Sequence, residues 1–315
     1  MRLRNWRYDT GRAKIEHVDA PVICVGNMTL GGTGKTPMVE WLARWLRARE
    51  LRVALVSRGY GAEQGARNDE ALELEQRLPD VPHVQNADRV AASKMAIEEF
   101  ETQVIVLDDG YQHRRLARDL DIVLLDAADP FGLGRVFPRG MLREPLAGLK
   151  RSDVIVLSRA DMVDSARRAE IHATVKRYNA DAEWAEVRHA PQRLLSSTGD
   201  ETSLDTLRGQ RVAAFCGIGN PEGFRHTLAE CGMDVAGFRS FGDHHSYTRE
   251  DVESLRAWAA GLGVAALVCT HKDLVKVGVD RLGTVPVRAL LIGLEFLAGQ
   301  AEFEETLAAI LPHSV

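Results

Sequence analysis

Short, unbroken apolar runs recur along the chain, separated by stretches with helical spacing. Five open it: PVICVGN, LRVALVSRGYG, TQVIVLDDG, DLDIVLLDA and SDVIVLSRAD. Continuous runs are expected of strands covered on both faces, as in a parallel sheet; a sheet wetted on one face alternates instead. Between the first two runs, Met38, Trp41, Leu42 and Trp45 fall at i, i+3, i+4 and i+7, one core-facing stripe of a helix over about residues 35–49. A second helix is predicted over about residues 87–101. This alternation predicts an α/β fold, a mostly parallel sheet with right-handed crossovers and helices on both faces.

The rhythm breaks at LLSSTGDETSLDTLRGQ, about residues 194–210, and then resumes. RVAAFCGIGN, a helix from about Pro221, MDVAGFRSFGDHH, a helix after Thr248, VAALVCT and VPVRALLIG form a second alternating set. The simplest division is a domain over 1–200, whose residues 1–19 form a basic N-terminal arm, and a smaller α/β domain over 201–315.

Composition narrows the class. The 315 residues are 45% hydrophobic and 27% charged, which fits a globular protein and not a disordered one. A net charge of −5 argues against a general nucleic-acid binder. No run approaches the roughly 18 uncharged residues of a membrane-spanning helix. Cys24, Cys216, Cys231 and Cys269 are widely spaced, with no C-x-x-C pair to suggest zinc, and fit a reducing cytosol. The first fourteen residues are different in character: Arg2, Arg4, Arg7, Arg12 and Lys14 stand against Asp9 alone, with Trp6 and Tyr8 interleaved, the pattern of a solvated arm or of a contact with an anionic membrane surface.

The chemistry concentrates in VGNMTLGGTGKTPMVEWLARWL, which passes from a strand through glycines into a helix. In Thr29-Leu30-Gly31-Gly32-Thr33-Gly34-Lys35-Thr36 the glycines let backbone N–H groups approach a polyphosphate, Lys35 reaches its outer phosphates, and the Thr36 hydroxyl is placed for Mg²⁺. The usual P-loop pattern has glycine where Thr29 stands. A metal-holding carboxylate is expected at a neighbouring strand end, and Asp108 and Asp109 close VIVLDD. The Asn-Lys-x-Asp that reads guanine is replaced by Ser158-Arg159-Ala160-Asp161, and Leu30 stands where partitioning ATPases carry a second lysine. The alternative to a kinase is a P-loop ATPase that drives a conformational or assembly step.

Motif order says more than any one motif. VGNMTLGGTGKTP, VSRGYG, LDDGYQHRRLARD, PRGMLREPL, FCGIGNPEGF, FGDHHSY and CTHKDLVK together resemble the tetraacyldisaccharide 4′-kinases, from about Val22 to Lys276. The resemblance implies transfer of the γ-phosphate of ATP to the 4′-hydroxyl of a tetraacyldisaccharide 1-phosphate, a step of lipid A biosynthesis. It also implies a peripheral protein on the cytoplasmic face of the bacterial inner membrane, whose second domain closes over the nucleotide. Residue by residue, it makes Lys35 and Thr36 the P-loop lysine and Mg²⁺ ligand and Asp108 and Asp109 the acidic pair, followed by Gln112 and His113 as nucleotide-site residues. Arg143 and Glu144 match an arginine–glutamate pair near phosphate and metal. Asp69 matches the general base, although Asn68 and Ala71 replace the family's glycine and proline, and His244 matches its histidine partner beside Asp243. Many members begin with a longer apolar N-terminal helix than this arm provides.

Overall fold

The computed structural model describes residues 2–59, 74–243 and 245–311. It forms two compact units, Met1–His189 with Leu294–Val315, and Ala190–Gly293.

In the first unit, helix α1 (Arg2–Asp9) precedes β1 (Val22–Asn27) and α2 (Lys35–Arg47). There follow β2 (Val53–Ser57), β3 (His83–Gln85), α3 (Arg89–Phe100), β4 (Val104–Asp108), β5 (Leu120–Asp126), β6 (Val154–Ser158), α4 (Ser165–Lys176) and β7 (Glu183–Leu195). The strands lie in the order β3-β2-β4-β1-β5-β6-β7, and each neighbouring pair is parallel. The fold class expected from the apolar runs is the one observed.

The continuous apolar runs are explained by the two faces they serve. Ile23 and Val25 of β1 point into a core with Met38, Leu42 and Leu46 of α2, whereas Cys24 points into one with Ala92 and Ala96 of α3 and Ile171 of α4. Alternate residues of one strand therefore enter opposite cores, and neither face can be polar. Burying each Val, Ile or Leu contributes about 1.5–3 kcal/mol, so these strands form the stable frame of the site.

The second unit orders its strands β10-β9-β11-β13, all parallel: β9 (Arg211–Cys216), β10 (Asp234–Ser240), β11 (Ala266–Thr270) and β13 (Val285–Ala298). Helices α5 (Pro221–Glu230), α6 (Arg249–Leu262) and α7 (His271–Val277) alternate with them. Thr248 caps α6 through a reciprocal capping box with Asp251. Short β8 (Glu201–Ser203) turns back antiparallel on β7, and β12 (Arg281–Leu282) pairs with β13.

This division differs from 1–200 and 201–315. Strands β7 and β13 each begin in one unit and end in the other, and the final helix α8 (Gln300–Ala309) belongs to the first unit. Trp41 of α2 meets Phe296 at 5.0 Å and Phe303 of α8 at 5.6 Å between ring centroids, both edge-on. A boundary inside a continuous strand leaves no polar linker, so composition cannot mark it. The polar stretch at 194–210 is a hairpin and turn.

Candidate active site

The loop after β1 is built from its backbone outward. Thr29 forms an isolated antiparallel bridge with Leu142, the Leu30 amide donates to the Met141 carbonyl at 2.7 Å, and the Arg143 amide donates to Met28 at 2.7 Å. Strand-like pairing at Thr29 accounts for the missing glycine, since its backbone stays out of the left-handed region. Gly31 and Gly34 then take φ of 107° and 82°, which side-chain-bearing residues rarely adopt.

Gly34 caps α2 with no side-chain partner for the first turn. The early amides of a helix have no intrahelical acceptor, so the loop offers donors and the positive end of the helix dipole to an anion. Thr33 Oγ1 is buried without a hydrogen-bond partner among the described residues.

The charges converge there. Lys35 Nζ lies 3.5 Å from Asp109 Oδ1 and 3.4 Å from Asn27 Oδ1. Arg143 Nη1 donates to both Asp109 oxygens at 2.8 Å. Burial pushes the Asp109 carboxyl up, but Lys35 and Arg143 together outweigh that and hold it below the usual carboxylate range. Asp109 carries a left-handed φ of 53°, a strain of the kind that concentrates at functional sites. Asp108 ends β4, buried, and pairs in register with Val25 of β1, just ahead of the phosphate loop.

The segment after Asp109 is pinned by Arg118. Its guanidinium bonds Asp121, 3.0 Å away at the closest, and donates to the carbonyls of His113 and Leu116 at 3.1 and 3.3 Å. That fixes Gln112, whose amide donates to Asn27 O at 3.0 Å and Glu144 Oε1 at 3.1 Å. Burial, with Arg89 and Arg118 nearby, lowers the His113 pKa to about 4, so its ring is neutral at pH 7. Glu144 is 1% exposed and also accepts from Asn5 at 2.8 Å and Arg151 at 2.9 Å. Glu144, expected from the family pattern to lie near metal, is held here by Asn5, Gln112 and Arg151.

On the other flank, Arg159 donates to Gly32 O at 2.9 Å and pairs with Asp126. His189 Nε2 lies 3.3 Å from Ser158 Oγ and abuts Gly34. Burial, and then Arg159, lower its pKa to about 4. Asn27, Arg118 and His189 were not singled out from sequence, and Arg159 was noted only as part of the segment that replaces the guanine-reading motif. Arg159 and Asn27 carried a legible signal, one at a nucleotide-facing strand end and the other a polar residue closing an apolar run before the glycines. His189, in a half-buried strand, carried none.

The structure therefore brings Lys35, Asp109, Arg143, Gln112 and Glu144 into one connected network beside the glycine loop. Asp69 and His244 lie outside the described residues. The Thr36 hydroxyl and the Asp108 carboxylate are hard oxygen donors of the kind Mg²⁺ takes when it is shared with substrate phosphates. Among the described residues there is no cluster of three His, Cys, Asp or Glu side chains to cage a metal, and no helix long and apolar enough to cross a membrane. A cleft of about 790 Å³ beside α1 is lined by Leu3, Val136, Pro145 and Leu146 together with Arg135 and Arg139.

Residues 1–312 match the family described as LpxK, tetraacyldisaccharide-1-P 4′-kinase. A tetraacyldisaccharide 4′-kinase of Anaeromyxobacter sp. (strain Fw109-5) is 39% identical over 322 residues, covering 96% of this chain and 86% of the relative. Its counterpart in Geobacter metallireducens is 39% identical over 313 residues, covering 93% and 90%. The solved structure of LpxK from Aquifex aeolicus in complex with ATP superimposes with a TM-score of 0.79 at 31% identity, covering 99% of this chain and 95% of that one. With its phosphate loop, acidic strand end and MLREP segment joined in one network, the chain belongs to the tetraacyldisaccharide-1-phosphate 4′-kinase family.

Proposed function

We propose that this protein transfers the γ-phosphate of ATP to the 4′-hydroxyl of a tetraacyldisaccharide 1-phosphate, forming the bis-phosphorylated lipid A precursor. The observation that carries the reading is the uncapped N-terminus of α2 behind Gly31 and Gly34, with Lys35 held between Asn27 and Asp109. The ATP-bound LpxK structure from a relative supports the choice of nucleotide.

In this reading the loop amides and Lys35 cradle the β- and γ-phosphates, while Arg143 orients Asp109 toward them. Thr36 and Asp108 would hold Mg²⁺, which supplies charge neutralisation on the transferring group. Lys35 must exchange part of its contact with Asp109 for phosphate oxygens. Phosphoryl transfer has a loose transition state, so positioning and charge outweigh covalent help from the protein. Asp69, aided by His244, is our candidate for accepting the sugar hydroxyl proton, on the strength of the family pattern alone.

The cleft beside α1 suits an anionic amphiphile, offering apolar walls to acyl chains and two guanidinium groups to phosphate. We place the protein peripherally on the cytoplasmic face of the inner membrane, where α1, with Leu3 and Trp6 exposed, meets anionic lipid.

The test is incubation of the purified chain with γ-labelled ATP, Mg²⁺ and a tetraacyldisaccharide 1-phosphate. Label in a doubly phosphorylated lipid, lost with Lys35→Ala, is the expected result. Label released only as inorganic phosphate would overturn the reading in favour of an ATPase.

A further inference from the structure

We infer that Asn5, on the N-terminal helix, is a positioning residue for the nucleotide site. The inference rests on Lys35 as the phosphate-binding lysine. From α1, Asn5 Nδ2 donates to Glu144 Oε2 at 2.8 Å. The other oxygen of that buried carboxylate accepts from Gln112 Nε2 at 3.1 Å, and the same amide donates to Asn27 O at 3.0 Å. The Asn27 side chain donates to Thr29 O at 2.8 Å and accepts from Lys35 Nζ at 3.4 Å. Arg4 of α1 also donates to Gln112 O at 2.7 Å, so the helix holds Gln112 through its main chain and through its partner. Hydrogen bonds thus run from a helix 30 residues upstream to the phosphate loop (35 − 5 = 30).

A carboxylate that is 1% exposed needs its donors, because the interior offers no water to replace one. Arg151 alone reaches both oxygens, at 2.9 and 3.0 Å. Without Asn5, the carboxylate is drawn toward Arg151, Gln112 loses its fixed acceptor, and Asn27 no longer holds Thr29 and Lys35 in register. Asn5 touches no reacting atom in this scheme; it acts through Glu144 and Gln112.

The test is equilibrium binding of a non-hydrolysable ATP analogue with Mg²⁺ to the full chain, read by calorimetry. Asn5→Ala is expected to raise Kd on the order of five- to tenfold, the net scale of one ordinary hydrogen bond. Asn5→Asp, the same size but repelling Glu144, is expected to raise it further. In a Gln112→Ala background, Asn5→Ala is expected to add less than about twofold, because the connection is already cut. A residue that merely anchored α1 would give additive losses in that cycle. Wild-type affinity in Asn5→Ala, wild-type affinity in Asn5→Asp, or full additivity would each overturn the inference. If Asn5→Ala does not fold, the Asn5→Asp comparison decides. Failure of the unaltered chain to bind nucleotide would overturn the ATP reading along with this one, whereas intact binding without an Asn5 effect overturns this one alone.

Discussion

Lys35 rests its ammonium 3.5 Å from an oxygen of Asp109, and Asp109 is at the same time gripped by Arg143 at 2.8 Å. Two cations share one carboxylate beside the glycine loop, so under the proposed function an arriving triphosphate meets positive charge already gathered. The two partners are expected to fail differently. Lys35→Ala removes a donor to phosphate and should lower kcat by about 10²–10³-fold while weakening nucleotide binding. Asp109→Asn removes a competitor for Lys35 and should lower kcat with nucleotide Kd unchanged or tighter. Paired steady-state and binding measurements distinguish them; a weakened Kd in Asp109→Asn would contradict this account.

Gly34 is constrained twice, by a φ of 82° and by what lies across from it. A Cβ there would fall inside contact distance of His189 Nε2 and 2.8 Å from Ser158 Oγ. Gly34→Ala should cost about 1 kcal/mol from backbone strain and about 1–3 kcal/mol more from overlap. Adding His189→Ala should recover only the imidazole's share of the second part, because Ser158 Oγ would still lie 2.8 Å from that Cβ. Urea denaturation of the single and double variants measures this, and no recovery would show that the imidazole is not what crowds the loop.

Arg118 and Asp121 form an ion pair whose side chains are 8% and 9% exposed. Arg118→Ala strands the carboxylate and the carbonyls of His113 and Leu116. A loss of about 3–5 kcal/mol is expected, the usual cost of breaking a buried pair from one side. A change within experimental error of zero in the denaturation midpoint would mean that water replaces the guanidinium.

Acid should loosen the first unit before most carboxylates protonate. His113 and His189 have pKa values lowered to about 4, each chiefly by burial, against about 6.5 in the unfolded chain. Between those values the unfolded chain binds more protons, so stability is fully present above about pH 6.5 and drains as pH falls toward 4. Denaturation midpoints at pH 7, 6 and 5 should decline, and His113→Gln should flatten part of the slope. An unchanged slope in that variant would assign the acid sensitivity elsewhere.

The N-terminal helix exposes Leu3 and Trp6 and carries Arg7 outward. Partitioning onto vesicles with anionic lipid should exceed that onto zwitterionic ones and fall with salt. Leu3→Asp or Arg7→Glu should lower it severalfold, since each basic residue near such a surface contributes about 1 kcal/mol. Flotation assays that find no difference would remove the helix from membrane contact.

Much of the frame was decided by residue order alone. Five unbroken apolar runs became β1, β2, β4, β5 and β6, because a strand buried on both faces has no position where a polar residue is cheap. The glycines, Lys35 and Thr36 needed only local geometry, and motif order carried the family. Strand β7 was not legible, since its partly exposed run EWAEVRHAPQRLL mixes charges with apolar residues. The return of α8 to the first unit, the grip of Arg159 on Gly32 and the link from Asn5 to Glu144 belong to the tertiary structure. These contacts join residues up to 139 positions apart, and a hydrogen bond between distant side chains leaves no periodicity or spacing to read until folding brings its partners together.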